Sequence, residues 1–233
     1  MKRAMGKMVV GNILTTAAIR YPDSPAIYCA STERRFTFRE VDRRTNRLSN
    51  ALLDLGFKKG DVVAFLTSNR AEIVEIYFAH ARTGIIGMPL NYRLATSEVL
   101  ELLRSVNATG LIYEDKFAPV AEKAAKSLRK VIQIGGESPD FALDYETELS
   151  NASDKELDIE IEEADPFYFN LTSGTTGLPK CYILTQYNNS TLGPFFQAFH
   201  MSEDDVAMTV FPMFGRVGFA WIAGAMYFGI PNV

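Results

Sequence analysis

Residues 172–180 read TSGTTGLPK, and their side chains are those a phosphate-binding loop needs. Thr172, Ser173, Thr175 and Thr176 offer hydroxyl donors, and hydroxyl oxygen also suits a hard cation such as Mg²⁺. Gly174 and Gly177 let the backbone turn tightly and approach a ligand. Their N–H groups can then converge on an anion as a nest. Lys180 adds a compact positive charge. The spacing is not that of the nucleotide loop GxxxxGK[ST], which must open a helix. Here Leu178 and Pro179 separate the second glycine from Lys180, and the flanks read as strands. Phe167, Phe169 and Leu171 alternate with Tyr168 and Asn170, and Cys181–Leu184 form a second apolar run. An ordinary Ser/Thr/Gly hairpin has the same composition, so the residues alone leave a phosphate cradle and a plain turn side by side.

The elements around this segment point to a layered α/β chain. Thr37 and Glu40 form a capping-box pair at a helix start. Val41, Leu48, Leu52 and Leu55 then share one face until Gly56 stops the helix. Val62–Leu66, Ile85–Pro89, Leu111–Tyr113 and Val131–Ile134 are short apolar runs separated by helical patterns around residues 73–83, 99–106 and 120–128. Asn69 and Glu72 repeat the capping-box spacing before the first of these helices. Apolar rather than alternating strands suit a doubly wound, mostly parallel sheet covered on both faces. Residues 140–165 hold 11 acids and one lysine and read as a solvated surface loop with an edge strand. The organisation expected is a first lobe over 1–139, an acidic linker over 140–165, and over 166–233 a phosphate-binding hairpin with the start of a second lobe.

Composition removes other classes. The chain has 233 residues and a net charge of −4, which disfavours binding driven by nucleic-acid phosphate. Cys29 and Cys181 form no disulfide framework, and His80 and His200 are too few for a His-rich metal site. Both histidines read as structural or surface residues. The apolar stretch Val217–Val233 is broken by glycine and shorter than the roughly 20 residues that span a bilayer, so it reads as a core helix. The basic N-terminus is interrupted by Asn12, Thr15 and Thr16, and Ile13, Leu14, Ala17 and Ala18 fall at helical spacing, which favours an amphipathic helix over a targeting segment. A cytoplasmic location is the expectation.

TSGTTGLPK resembles the phosphate-binding signature of the adenylate-forming superfamily, which includes AMP-forming acyl-CoA synthetases, peptide-synthetase adenylation domains and firefly-type luciferases. The resemblance runs through residues 12–27, 36–52 and 60–94, and Asn91 leans it toward CoA ligases. It implies a ligase that joins a carboxylic acid to CoA with ATP and Mg²⁺, through an acyl-AMP intermediate, with no nucleic acid and with a homodimer possible. It assigns the ATP phosphates to Thr172, Ser173, Gly174, Thr175, Thr176, Gly177 and Lys180. Lys180 takes a catalytic role and Thr172 the metal. Residues 211–221, FPMFGRVGFAW, resemble the stretch lining the acyl pocket, which makes Phe214, Gly215, Gly218 and Trp221 pocket candidates. Three positions depart from the family pattern: Cys181 replaces glycine, and Gln186 and Gly215 each replace histidine. Gly215 implies a roomier pocket, suited to a ring-bearing or branched acid. The departures also leave open a non-catalytic nucleotide-binding relative, and a carrier-protein thiol is an alternative acceptor. No Tyr-Gly-x-Thr-Glu, Thr-Gly-Asp or Pro-Lys-x-x-x-Gly-Lys segment occurs. The family uses these for a metal-binding Glu, a ribose-binding Asp and the adenylation Lys. The expectation is therefore the N-terminal part of a longer enzyme, without its C-terminal lid domain. Residues 1–233 alone are expected to give no carboxylate-dependent pyrophosphate exchange, and robust exchange by this chain would overturn the fragment reading.

Overall fold

The computed structural model describes residues 6–172 and 180–233. Helix α1 (Gly11–Arg20) leads into a hairpin of β1 (Pro25–Cys29) and β2 (Arg34–Thr37), then α2 (Phe38–Asp54) and β3 (Val62–Leu66). Next come α3 (Ala71–Thr83), β4 (Ile86–Pro89), α4 (Thr96–Ser105), β5 (Gly110–Glu114), α5 (Ala118–Ala125) and β6 (Lys130–Ile134). The rest is β7 (Leu143–Asp144), α6 (Tyr145–Asn151), β8 (Pro166–Thr172), β9 (Lys180–Thr185), α7 (Gln186–Ser190), α8 (Leu192–Phe195) and α9 (Arg216–Phe228). Seven strands form one sheet in the order β7-β6-β5-β3-β4-β8-β9, parallel except for the final β8–β9 pair.

The apolar strands are explained by burial on both faces. In β3, Val63 and Phe65 join a core built with α1, α2, α3 and α9, while Val62, Ala64 and Leu66 join a second core under α4 and α5. Alternate residues therefore feed opposite cores, and no position is left to be polar. Thr37 caps α2 as its spacing predicts, with Glu40 returning a bond to the Thr37 N–H at 2.7 Å. Gly84 ends α3 in the left-handed conformation.

Three sequence expectations need correction. Asn69 does not cap α3: Arg70 holds that position without a side-chain bond, and Glu72 pairs instead with Arg70 (2.7 Å) and Arg34 (2.8 Å). The alternation at residues 158–162 is not a strand. The edge strand is Leu143–Asp144, followed by α6, because Asp144 accepts from the Thr147 N–H and starts a helix. Nor is the acidic stretch merely solvated. Asp154 binds Arg43 (2.8 Å), Asp165 binds Lys59 (2.5 Å), and Lys7 reaches Glu160 (3.3 Å) and Glu162. It is a strap over the N-terminal segment and α2. The β1–β2 hairpin was not anticipated, and its turn places Glu33 rather than glycine at positive φ (56°).

His80 is fully buried on α3, as a structural reading requires, and neither ring nitrogen has a hydrogen-bond partner among the described residues. Burial lowers its pKa from 6.5 to about 3. The folded state therefore binds no proton where the unfolded chain does, and stability declines as pH falls below 6.5. Glu114 and Glu146 are held below the usual carboxylate value of 4.5 by their partners, Ser68 and Lys116 for the first and Arg44 and Arg34 for the second, so their stabilisation is lost only in stronger acid. Between these limits urea unfolding should lose up to about 1.4 kcal/mol per pH unit to His80. His80→Phe should flatten that slope, and an unchanged slope would place the titrating group elsewhere.

Candidate active site

The hairpin that carries the signature is positioned by the sheet. β8 and β9 pair antiparallel with Thr172 opposite Lys180, Leu171 opposite Cys181 and Asn170 opposite Tyr182. Both ends of the signature thus meet on one rung, and Lys180 is exposed at the start of β9. Ser173, Gly174, Thr175, Thr176 and Gly177 lie outside the described residues, as does the Thr172 side chain. β8 joins the sheet where Tyr168 meets Gly87 of β4. A Cβ at Gly87 would stand 2.9 Å from His80 Nδ1 and 3.3 Å from the Tyr168 Cβ, so only glycine lets the hairpin approach this closely.

The second candidate cluster opens α9. Gly215 is its N-cap, and the Gly215 N–H closes a turn onto the Pro212 carbonyl at 3.1 Å. The four proposed pocket residues divide in environment. Phe214 is half-buried, edge-to-face with Tyr92 at 5.2 Å. Among the described residues, a Cβ on Gly215 would meet only the Pro212 oxygen, at 3.4 Å, so within them this position faces room. Gly218 is the opposite case: a Cβ there would lie 2.4 Å from the Pro212 oxygen and 2.7 Å from the Met213 Cα. Its role is to let α9 pack on the chain before it. Trp221 sits in an aromatic cluster, 5.0 Å from Phe196 and stacked on Phe211 at 6.3 Å and 15°. Arg216 extends to the Asn188 carbonyl at 3.4 Å.

Tyr77 ties the two clusters together. Its ring lies 5.6 Å from Tyr168 of β8 and 4.7 Å from Phe219 of α9, and its hydroxyl donates to the Met213 carbonyl at 2.9 Å. Sequence reading also missed Asn69. Its Nδ2 donates to the Phe211 carbonyl at 2.8 Å, and its Oδ1 accepts from the Met213 N–H at 2.8 Å. A half-buried amide just after a strand end was the available signal, misassigned as a cap.

The departures at Gln186 and Cys181 have local explanations. Gln186 is buried, with its Oε1 accepting from the Val10 N–H at 3.0 Å and its Nε2 donating to the Ala81 carbonyl at 3.2 Å. It joins the start of α1 to the end of α3. Cys181 is half-buried and packs against the α4–α5 core, and burial pushes its thiol pKa up, which disfavours the thiolate. The thiol drawn downward is Cys29, where hydrogen bonds from Ser31, Thr32 and the Ala71 N–H outweigh burial. His200 is exposed, in the left-handed conformation.

Residues 14–233 match the family described as AMP-binding enzyme. This chain belongs to that family. It is 35% identical over 163 residues to the fatty acid–[acyl-carrier-protein] ligase ScoC of Streptomyces coeruleorubidus, covering 70% of this chain and 30% of that protein. It is 30% identical over 206 residues to an Escherichia coli crotonobetaine/carnitine–CoA ligase, covering 83% and 40%. The inhibitor-bound N-terminal domain of FACL13 from Mycobacterium tuberculosis superimposes with a TM-score of 0.84 at 25% identity, covering 97% of this chain and 57% of that one. The chain thus spans well under half the length of these two curated relatives. Among the described residues no helix is long and apolar enough to cross a membrane, and no group of three or more His, Cys, Asp or Glu side chains could hold a metal.

The two glycines of α9 should separate by mutation. Gly218→Ala should cost roughly 1–3 kcal/mol through overpacking against Pro212 and Met213. Gly215→Ala should cost about 1 kcal/mol or less, the loss of glycine's preference over alanine at an N-cap. Denaturant midpoints of both variants check this, and equal costs would contradict the geometry at Gly218.

Proposed function

We propose that this chain supplies the phosphate-binding and acid-binding part of an AMP-forming carboxylate–CoA ligase. The observation that carries the reading is the β8–β9 rung that sets Thr172 across from Lys180 and gathers the hydroxyl- and glycine-rich segment between two paired strand ends. On this reading Thr172, Ser173, Gly174, Thr175, Thr176, Gly177 and Lys180 hold the β- and γ-phosphates of ATP. The substrate carboxylate attacks the α-phosphorus, the bond to the bridging oxygen breaks, and acyl-AMP and pyrophosphate form. Lys180 stabilises the charge that develops on the departing pyrophosphate. Held in line, the acid needs little further reorganisation. A thiol sulfur then attacks the acyl carbonyl carbon and AMP leaves.

Magnesium, when bound, neutralises phosphate charge, and one hydroxyl from Thr172 together with substrate oxygens is a donor set that fits it. Phe214 and the space at Gly215 line the acid site in this proposal, with Trp221 behind them. That space favours a ring-bearing or branched acid over acetate. The division into residues 1–139, 140–165 and 166–233 is retained as a proposal of organisation, although β8 continues the sheet begun by the first segment. CoA is the proposed acceptor, as in the name of the carnitine relative. A carrier-protein thiol is the second reading, favoured by the likeness to ScoC.

A pyrophosphate-exchange screen of the whole enzyme against a panel of carboxylic acids tests the reaction. Lys180→Ala should slow adenylation on the order of 10²-fold. The loss should fall on ATP use rather than acid binding, and unchanged ATP kinetics would move the phosphate site elsewhere.

A further inference from the structure

We propose that Asn69 is a positioning residue for the carboxylic-acid substrate. Its side-chain amide fixes the backbone of Phe211–Met213 and, through it, the turn at Phe214 and Gly215. This rests on the acid-site reading above.

The segment from Phe211 to Phe214 lies outside regular structure. Its backbone polar groups still need partners. Asn69 supplies two at once, one donated and one accepted, each 2.8 Å long, across 142 and 144 residues of sequence. A short amide is suited to this because it presents a donor and an acceptor side by side. Tyr77 adds a third fixed point at the Met213 carbonyl. The two clamping residues belong to α3 and the loop before it, and that loop is itself held. Ser68 donates to Glu114 from both its N–H (2.8 Å) and its hydroxyl (2.6 Å), and Arg70 binds Glu72.

The arrangement has a local cost. Asn69 stands where its spacing to Glu72 fits a capping box, yet α3 has no side-chain cap. Helix capping is forgone for a distant contact, and breaches of local preference tend to concentrate at functional sites. What the contact fixes is the approach to Gly215, the proposed pocket glycine with room beside it among the described residues.

Trp221 is the only tryptophan and stacks on Phe211, so its fluorescence reports this segment. The experiment compares Asn69→Ala with wild type in the whole enzyme for kinetics and in the 233-residue chain for Trp221 emission. Asn69→Ala should shift the emission and raise KM for the acid about tenfold, with KM for ATP within about twofold. Asn69→Asp keeps the acceptor for Met213 and loses the donor to Phe211, so it should show the same split with a smaller effect. An unmoved Trp221 signal overturns the clamp. A moved signal with unchanged acid kinetics overturns the acid-site reading and the positioning role with it. Equal losses for acid and ATP, or loss of the fold in both variants, mean that Asn69 is a stability residue and overturn the proposal.

Discussion

Two carboxylates with almost no access to water decide how the first half of the molecule is assembled. Glu72 and Glu75 lie on α3, whose residues are buried nearly throughout. A buried charge is tolerated only when it is paired and hydrogen-bonded, and removing one partner typically costs about 3–5 kcal/mol. Arg44 of α2 grips Glu75 through two nitrogens, at 2.6 and 3.1 Å, and the Tyr145 hydroxyl of α6 adds a third bond at 2.7 Å. Burial pushes the Glu75 carboxyl up, and Arg44 and Tyr145 oppose it. Glu72 is held by Arg34 from β2 and Arg70 from the loop before α3. Three separate elements, β2, α2 and α6, must therefore meet α3 in one arrangement.

The consequence reaches the candidate site. With α3 fixed, Asn69 and Tyr77 present polar groups at set positions to the chain before α9. Tyr77 also packs between β8 and α9. The strand that enters the phosphate signature and the helix that follows the proposed acid pocket thus share one support. Gly87 and Gly218 serve the same end by removing side chains where backbones must close.

Local signals were legible in the sequence, and distant ones were not. Runs such as Val62–Leu66 announced strands because both faces are buried. The Thr37–Glu40 box was readable because both partners belong to one turn. The identical spacing at Asn69 and Glu72 misled because each side chain is claimed by residues far along the chain. The acidic stretch misled for the same reason: its cations lie on α2, in the loop before β3 and near the N-terminus. The β1–β2 hairpin gave no Asn-Gly signal, since Glu33 makes the turn. In the candidate site, the two strands bracketing the signature could be read from composition. That, among the described residues, Gly215 faces room while the space at Gly218 is filled by Pro212 could not, because the neighbour that fills the space is set by the packing of α9.

Residues 231–233 form a rung between β1 and residues 207–209. The Tyr28 N–H reaches the Asn232 carbonyl at 2.9 Å, and the Ala207 N–H reaches the Pro231 carbonyl at 2.8 Å. The inner edge of β1 therefore has no partner until a stretch some 200 residues later has been made. Gln186 imposes the same delay on the first turn of α1. At the ribosome the opening hairpin would wait, edge exposed, while the parallel sheet behind it forms first. The earliest part of this chain to be synthesised is among the last to be secured.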